Sequence, residues 1–175
     1  MDFFTADTHF NDRRIITTAR RPFGNVTQMN EALIDGWNEA VRPIDRVIHL
    51  GDFCKGGRVM VEWILNRLNG RKILLLGNHD RAQPPEFWKR AGFQEVHTHL
   101  DRKIDGRMIR YQHRPFPLGK IPAGIDAVLH GHIHDTRPAP PRHICLSVEL
   151  HNYRPIGKEV ISQLIEELLA IHCRN

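Results

Sequence analysis

The sequence predicts an α/β fold of two packed sheets flanked by helices, and three observations carry that expectation. Short β-rich apolar runs alternate with amphipathic stretches through the first half of the chain. The second half reads as successive strands with few helices between them, and the chain then returns to a helical period near its end. Phe3 to Ala6 is a strand-length apolar run. Met29, Leu33, Ile34, Trp37 and Val41 fall at helical spacing and form a core-facing stripe. Arg46 to Leu50 is the next strand, Val59, Trp63, Ile64 and Leu68 the next helix, and Lys72 to Leu76 the next strand. Pro85 opens a short helix to Ala91, as proline favours the first helical position. Strands are expected over Glu95 to Ile104, Arg107 to Gln112, Asp126 to His130 and His143 to Glu149, and a last helix from Lys158 to Ile171.

A chain of 175 residues buries a core without staples and is expected to form one domain over 1–175. The longest apolar runs, such as Ile73 to Leu76, are far too short to span a bilayer. The first residues meet Asp2 before any cationic region and show no cleavage site, so a cytoplasmic protein with no membrane association is expected. Cys54, Cys145 and Cys173 are odd in number and lack a CxxC pair, which excludes a disulfide framework and a zinc finger and leaves reduced thiols. The net charge of +5 favours anionic partners without choosing among them. The unusual count is twelve histidines.

Polar clusters stand just past the predicted strands: Asp7-Thr8-His9, Gly51-Asp52, Gly77-Asn78-His79-Asp80, Tyr111-Gln112-His113 and His130-Gly131-His132-Ile133-His134. In α/β sheets the loops at the carboxyl ends of strands converge on one crevice, so these clusters can meet in space. Asp7, His9, Asp52, Asn78, His113, His132 and His134 make seven donors of mixed oxygen and nitrogen type, a set suited to Mn, Fe, Zn or Ni. Seven exceed one ion's needs and divide between two if a carboxylate bridges them. Gly131 lets the chain turn so that His132 and His134 project alike, while His79, directly after Asn78, points away from that ligand and toward a substrate.

The series Asp7-x-His9, Gly51-Asp52, Gly77-Asn78-His79-Asp80, His113 and Gly131-His132-x-His134 resembles the signature of the calcineurin-like metallophosphoesterases, in order and over nearly the whole chain. Arg21-Pro22-Phe23, Met29-Asn30-Glu31, Trp37-Asn38 and His49-Leu50-Gly51-Asp52-Phe53 further resemble a compact bacterial and phage branch of that family. The resemblance implies a four-layer αββα sandwich of two mixed sheets. It also implies two divalent transition-metal ions, Mn first, with Fe, Zn, Ni or Mg as alternatives. Asp7, His9 and His134 would hold one ion, Asn78, His113 and His132 the other, and Asp52 would bridge them. A bridging hydroxide would attack the phosphate, with His79 as acid or charge stabiliser and Asp80 as its orienting partner.

Arg114 and Asp12 are the candidate substrate contacts. Asn11-Asp12 stands where the branch commonly has Gly-His, and an acid there alters charge and specificity. His49 and His130 sit in apolar strands and take a structural reading, as do Cys54, His97, His99, His143, His151 and His172. Asn152-Tyr153-Arg154-Pro155 is expected to anchor the last strand. The short chain carries no long cap insertion, which favours an open site and phosphodiesters such as nucleotides or nucleic-acid ends. The alternatives are a phosphomonoesterase, a nuclease, or a catalytically silent protein-binding scaffold; oligomeric state is left open, a homodimer included.

Overall fold

The computed structural model describes residues 1–172; Cys173 and the His172 side chain, both assigned above, lie outside what it describes. In chain order the elements are β1 (Asp2–Thr5), α1 (Arg13–Thr18), α2 (Val26–Ala40), β2 (Arg46–His49), α3 (Arg58–Arg67), β3 (Arg71–Leu75) and α4 (Pro85–Ala91). They continue with β4 (Glu95–His97), β5 (His99–Ile104), β6 (Arg107–Gln112), β7 (Ala127–His130), β8 (His143–Cys145), β9 (Ile156–Gly157) and α5 (Lys158–His172).

Two mixed sheets result. The first runs β4-β3-β2-β1-β9, parallel except for antiparallel β9 at its edge, and the second runs β5-β6-β7-β8 with only β5 antiparallel to its neighbour. The register Thr5↔His49↔Leu74 brings three strands to one end together, so the loops that follow leave from a common edge. The period of two along each strand sorts the core. Phe3, Val47 and Leu74 face the helices, packing with Met29, Leu33 and Trp37 of α2, Val61 and Ile64 of α3 and Trp88 of α4. Phe4, Ile48, Ile73 and Leu75 face the second sheet, meeting Ile109, Tyr111, Ala127, Leu129 and Ile144, and α5 closes this layer with Ile161 and Ile165.

The expected strands at both ends of the second half differ from the observed ones. Glu95 to Ile104 is two strands rather than one: it leaves the first sheet at His97 and joins the second at His99. His143 to Glu149 stops as a strand at Cys145, because the chain turns to bridge Ser147 to Ala6 and then winds a 3-10 turn over Val148–His151. Helix α1 and strand β9 were not expected. Tyr153 packs edge-on against Phe23, ring centroids 4.9 Å apart, which joins the Asn152-Tyr153 segment to the Arg21-Pro22-Phe23 segment just ahead of β9.

Candidate metal centre

The predicted donors come from the loops after β1, β2 and β3 of the first sheet and after β6 and β7 of the second, and they meet in space. The β1 loop is stitched to the β2 loop by Asp7 N–H to Gly51 O (2.9 Å) and His9 N–H to Asp52 O (3.0 Å), and the β7 loop is tied to the β6 loop by Gly131 N–H to His113 O (3.0 Å). Side-chain donor atoms then fall into three overlapping groups, Asp7 with His9 and His134, His9 with Asp52 and His79, and Asp52 with His113 and His132, each group's atoms within 4.8 Å of one another. Asp52 joins them: its Oδ2 stands 3.6 Å from His9 Nε2 and 3.3 Å from His113 Nε2.

The backbone is strained where these donors sit. Asp7, His9, Asp52, His132 and His134 all have φ between +47° and +72°, the left-handed region that non-glycine residues avoid at about 1–2 kcal/mol each. Such conformations persist only where the surroundings over-determine them, and they gather at functional sites. The three loop glycines leave no room for a side chain. A Cβ on Gly77 would strike the Asp52 carboxylate, one on Gly131 the Asp7 carboxylate, and one on Gly51 would lie 2.6 Å from His113 Nδ1.

Cations fit this cradle. Asp7 Oδ1 and His9 Nε2 are buried without any hydrogen-bond partner, an arrangement whose desolvation cost a bound ion would remove. His113 Nε2 faces two oxygens, Asn78 Oδ1 at 3.1 Å and Asp52 Oδ2 at 3.3 Å. The histidines are also oriented as ligands: His113 Nδ1 is bonded to Leu50 O (2.9 Å) and His134 Nδ1 to Glu149 Oε1 (2.9 Å), which turns each ring's Nε2 toward the other donors. Asp7 Oδ2 is saturated by Ser147 Oγ–H (2.6 Å) and His132 N–H (2.9 Å), so only Oδ1 remains to bind.

Electrostatics follow from burial. Burial raises the Asp7 carboxyl and drives His9 well below its ordinary value, and it holds His132 down at about 4, where neighbouring cations add to the effect. Burial also works against ionisation of Asp52, but the hydrogen bond and charge of His113 outweigh it and keep this carboxylate below the usual range. Glu149 is held low in the same way by His134 and Arg21.

His79 shares a donor group with His9 and Asp52, and exposure rather than distance distinguishes it from the buried donors. Its side chain is 61 % exposed, its Nε2 is 3.9 Å from Asp52 Oδ2, and its backbone N–H is fixed to Asp52 Oδ1 at 2.9 Å. Asp80 does not orient it. The Asp80 carboxylate is fully buried and accepts from the backbone N–H groups of Asp52 (2.6 Å), Phe53 (3.0 Å) and Gly77 (2.9 Å), so it clamps the β2 loop to the β3 loop. Asp12 lines the cleft beside His9 and His79, yet it is not a bare charge at the mouth: it caps α1 through Arg14 N–H (3.0 Å) and pairs with Lys55 Nζ (3.1 Å). Arg114 is exposed beside His113, on the wall of a second cleft.

His49 and His130 take the structural places assigned to them. His49 Nε2–H donates to Thr8 Oγ1 (2.9 Å) and Nδ1 accepts from Gly51 N–H (3.1 Å), while His130 Nδ1 bonds Gly131 O (2.6 Å). Sequence reasoning missed Glu149, Ser147 and the role of Arg21. Arg21 is buried between Asp7 O (2.6 Å), Thr8 O (2.8 Å) and Glu149 Oε1 (2.7 Å). Only the Arg21-Pro22-Phe23 motif hinted at it; nothing in the sequence ties Arg21 to an acid 128 residues away.

Known proteins share this chain's sequence and fold. An uncharacterized protein of Methanocaldococcus jannaschii is 34 % identical over 173 residues, covering 94 % of this chain and 91 % of its own length. The gene 66 protein of Mycobacterium phage D29 is 48 % identical over 87 residues, 42 % of this chain and 43 % of the phage protein. The crystal structure of a protein of unknown function from Aquifex aeolicus superposes with a TM-score of 0.76 at 24 % identity, covering 94 % of this chain and 98 % of that one, and so shares the fold. Residues 3–122 match the calcineurin-like phosphoesterases, and the chain belongs to that family.

Proposed function

We propose that this protein is a binuclear metal-dependent phosphoesterase that hydrolyses nucleotide-like phosphodiesters in preference to monoesters. One observation carries the reading: a single carboxylate oxygen, Asp52 Oδ2, stands within 3.6 Å of donors from two histidine-containing groups. Asp7, His9 and His134 would hold one ion, Asn78, His113 and His132 the other, with Asp52 between them and Mn the first candidate metal. Such ions, when bound, supply Lewis-acid charge to phosphate oxygens and acidify water toward neutral pH.

The chain's own residues do the rest. His79 is exposed in the cleft with His9 and Asp52, its main chain anchored on Asp52, and offers Nε2 as proton or hydrogen-bond donor to the leaving oxygen. Glu149 and the Leu50 carbonyl hold the Nδ1 protons of His134 and His113. Arg21 fixes Glu149 from behind. Clefts open on both sides of Asn78-His79, one beside His9 and Asp52 and one beside Asn78 and His113, which suits a phosphate bearing two ester groups. Among the described residues Cys54 and Cys145 are free thiols, and no helix is long and apolar enough to cross a membrane.

Turnover of matched aryl diesters and monoesters by Mn-loaded wild type and His79→Ala tests this. The diester is expected to show the higher kcat/KM, and the variant to lose about 10²- to 10⁴-fold, less with activated leaving groups. No turnover of either ester with any divalent ion would overturn the reading.

A further inference from the structure

We propose that the cleft beside Asn78 and His113 is a subsite for a second phosphate of the substrate, held by Arg81 and Arg114. The inference rests on the phosphoesterase reading and narrows it to esters in which another phosphate neighbours the scissile one. The cleft is walled by Asn78, Arg81, His99, Gln112, His113 and Arg114, and no carboxylate lines it. Asn78 and His113 are donors of the metal centre, so the cleft is continuous with the place where the scissile phosphate would sit.

Its two arginines are uncompensated. Arg42, Arg46, Arg67 and Arg110 each take a carboxylate partner. Arg81 and Arg114 take none among the described residues, although both are exposed beside the site. Their main chains are fixed all the same. Arg81 N–H bonds Gly77 O (3.3 Å) and directly follows Asp80, the clamp between two site loops, while the Arg114 carbonyl accepts from Gln112 Nε2 (2.6 Å). Two arginines lining one acid-free cleft suit the forked hydrogen bonding of phosphate. The cleft on the other side of His79 differs in charge: it contains Asp12 and Asp52, and its Lys55 is already matched by Asp12 at 3.1 Å. A polyanionic substrate would therefore extend past Asn78 and place its less charged group past His79.

Three chromogenic substrates with the same leaving group test this: thymidine 5′-(p-nitrophenyl phosphate), its 3′-phosphorylated form, and the p-nitrophenyl ester of thymidine 5′-diphosphate. The second places the extra phosphate across a sugar, as in a nucleic-acid strand, and the third places it through an anhydride. Wild type is expected to favour at least one of them over the parent by about 10-fold in kcat/KM, mainly through KM, and the one favoured identifies the source. Arg81→Gln should cut that preference to roughly 3-fold or less while leaving the parent's kcat/KM in place, and added salt should shrink it as screening predicts. Equal kcat/KM for all three, or a preference that survives in Arg81→Gln, would overturn the subsite and leave the phosphoesterase reading standing. Failure to turn over even the parent would overturn both.

Discussion

Replacing Glu149 with Gln keeps the side chain's shape and removes one charge, and the structure sets the size of the result. Glu149 Oε1 accepts from Arg21 Nε (2.9 Å), Arg21 Nη2 (2.7 Å) and His134 Nδ1 (2.9 Å). The Arg21 and Glu149 side chains are 0 % and 3 % exposed, so water does not replace the lost charge. Breaking a buried ion pair costs about 3–5 kcal/mol. Arg21 keeps the carbonyls of Asp7 and Thr8, which puts the expected cost at the lower end, about 3 kcal/mol. For a domain of this size that lowers Tm by roughly 6–12 °C. His134 also loses the carboxylate that fixes its ring, and metal affinity should fall about 10- to 100-fold. Calorimetric melting of the metal-free protein and metal titration read the two effects separately. Glu31→Gln is the control: its pair with Arg67 is short, 2.6 Å, but 43 % and 32 % exposed, and should matter by no more than about 1 kcal/mol. A Glu149→Gln protein that melts within about 2 °C of wild type and binds metal unchanged would refute this account of the Arg21–Glu149–His134 chain.

Gly77→Ala should cost about 1–3 kcal/mol and weaken metal binding, because its β-carbon would fall on the Asp52 carboxylate, whereas Gly57→Ala, which meets nothing within 4 Å, should do neither; thermal melts and metal titration decide. Burial pushes the His49 imidazole down to about 3, so the unfolded chain takes up the proton first and stability should fall as pH drops below about 6.5. The slope attributable to His49 is at most about 1.4 kcal/mol per pH unit. Urea unfolding of the metal-free protein across that range should show it, and an identical slope in His49→Gln would count against it.

Most of the fold was legible because its strands are short, apolar and separated by helical spacing. Where the reading slipped, tertiary geometry had overruled local pattern. Thr98 gives no local sign that the chain changes sheets between His97 and His99. Helix α1 has six residues and a single buried side chain, Ile15, too short a period to register. Strand β9 is two residues held by pairing with Phe3 and Phe4. The convergence of these Asp and His side chains was legible because each lies in a short run after a strand, where topology brings loops together. The residues that orient them were not: Ser147 reaches Asp7 from 140 positions away, and Asp80, adjacent to His79 in sequence, turns its carboxylate under the loops instead of toward that ring. Adjacency along the chain was a poor guide to side-chain direction in a turn.

The central claim is that Asp52 serves two ions at once. Elemental analysis of protein equilibrated with excess Mn and freed of unbound metal tests it most directly, in wild type and in Asp52→Asn. Wild type should carry two ions per chain and the variant should fall below one, since both groups lose their shared donor. At most one ion in fully loaded wild type, or two retained in the variant, would contradict it.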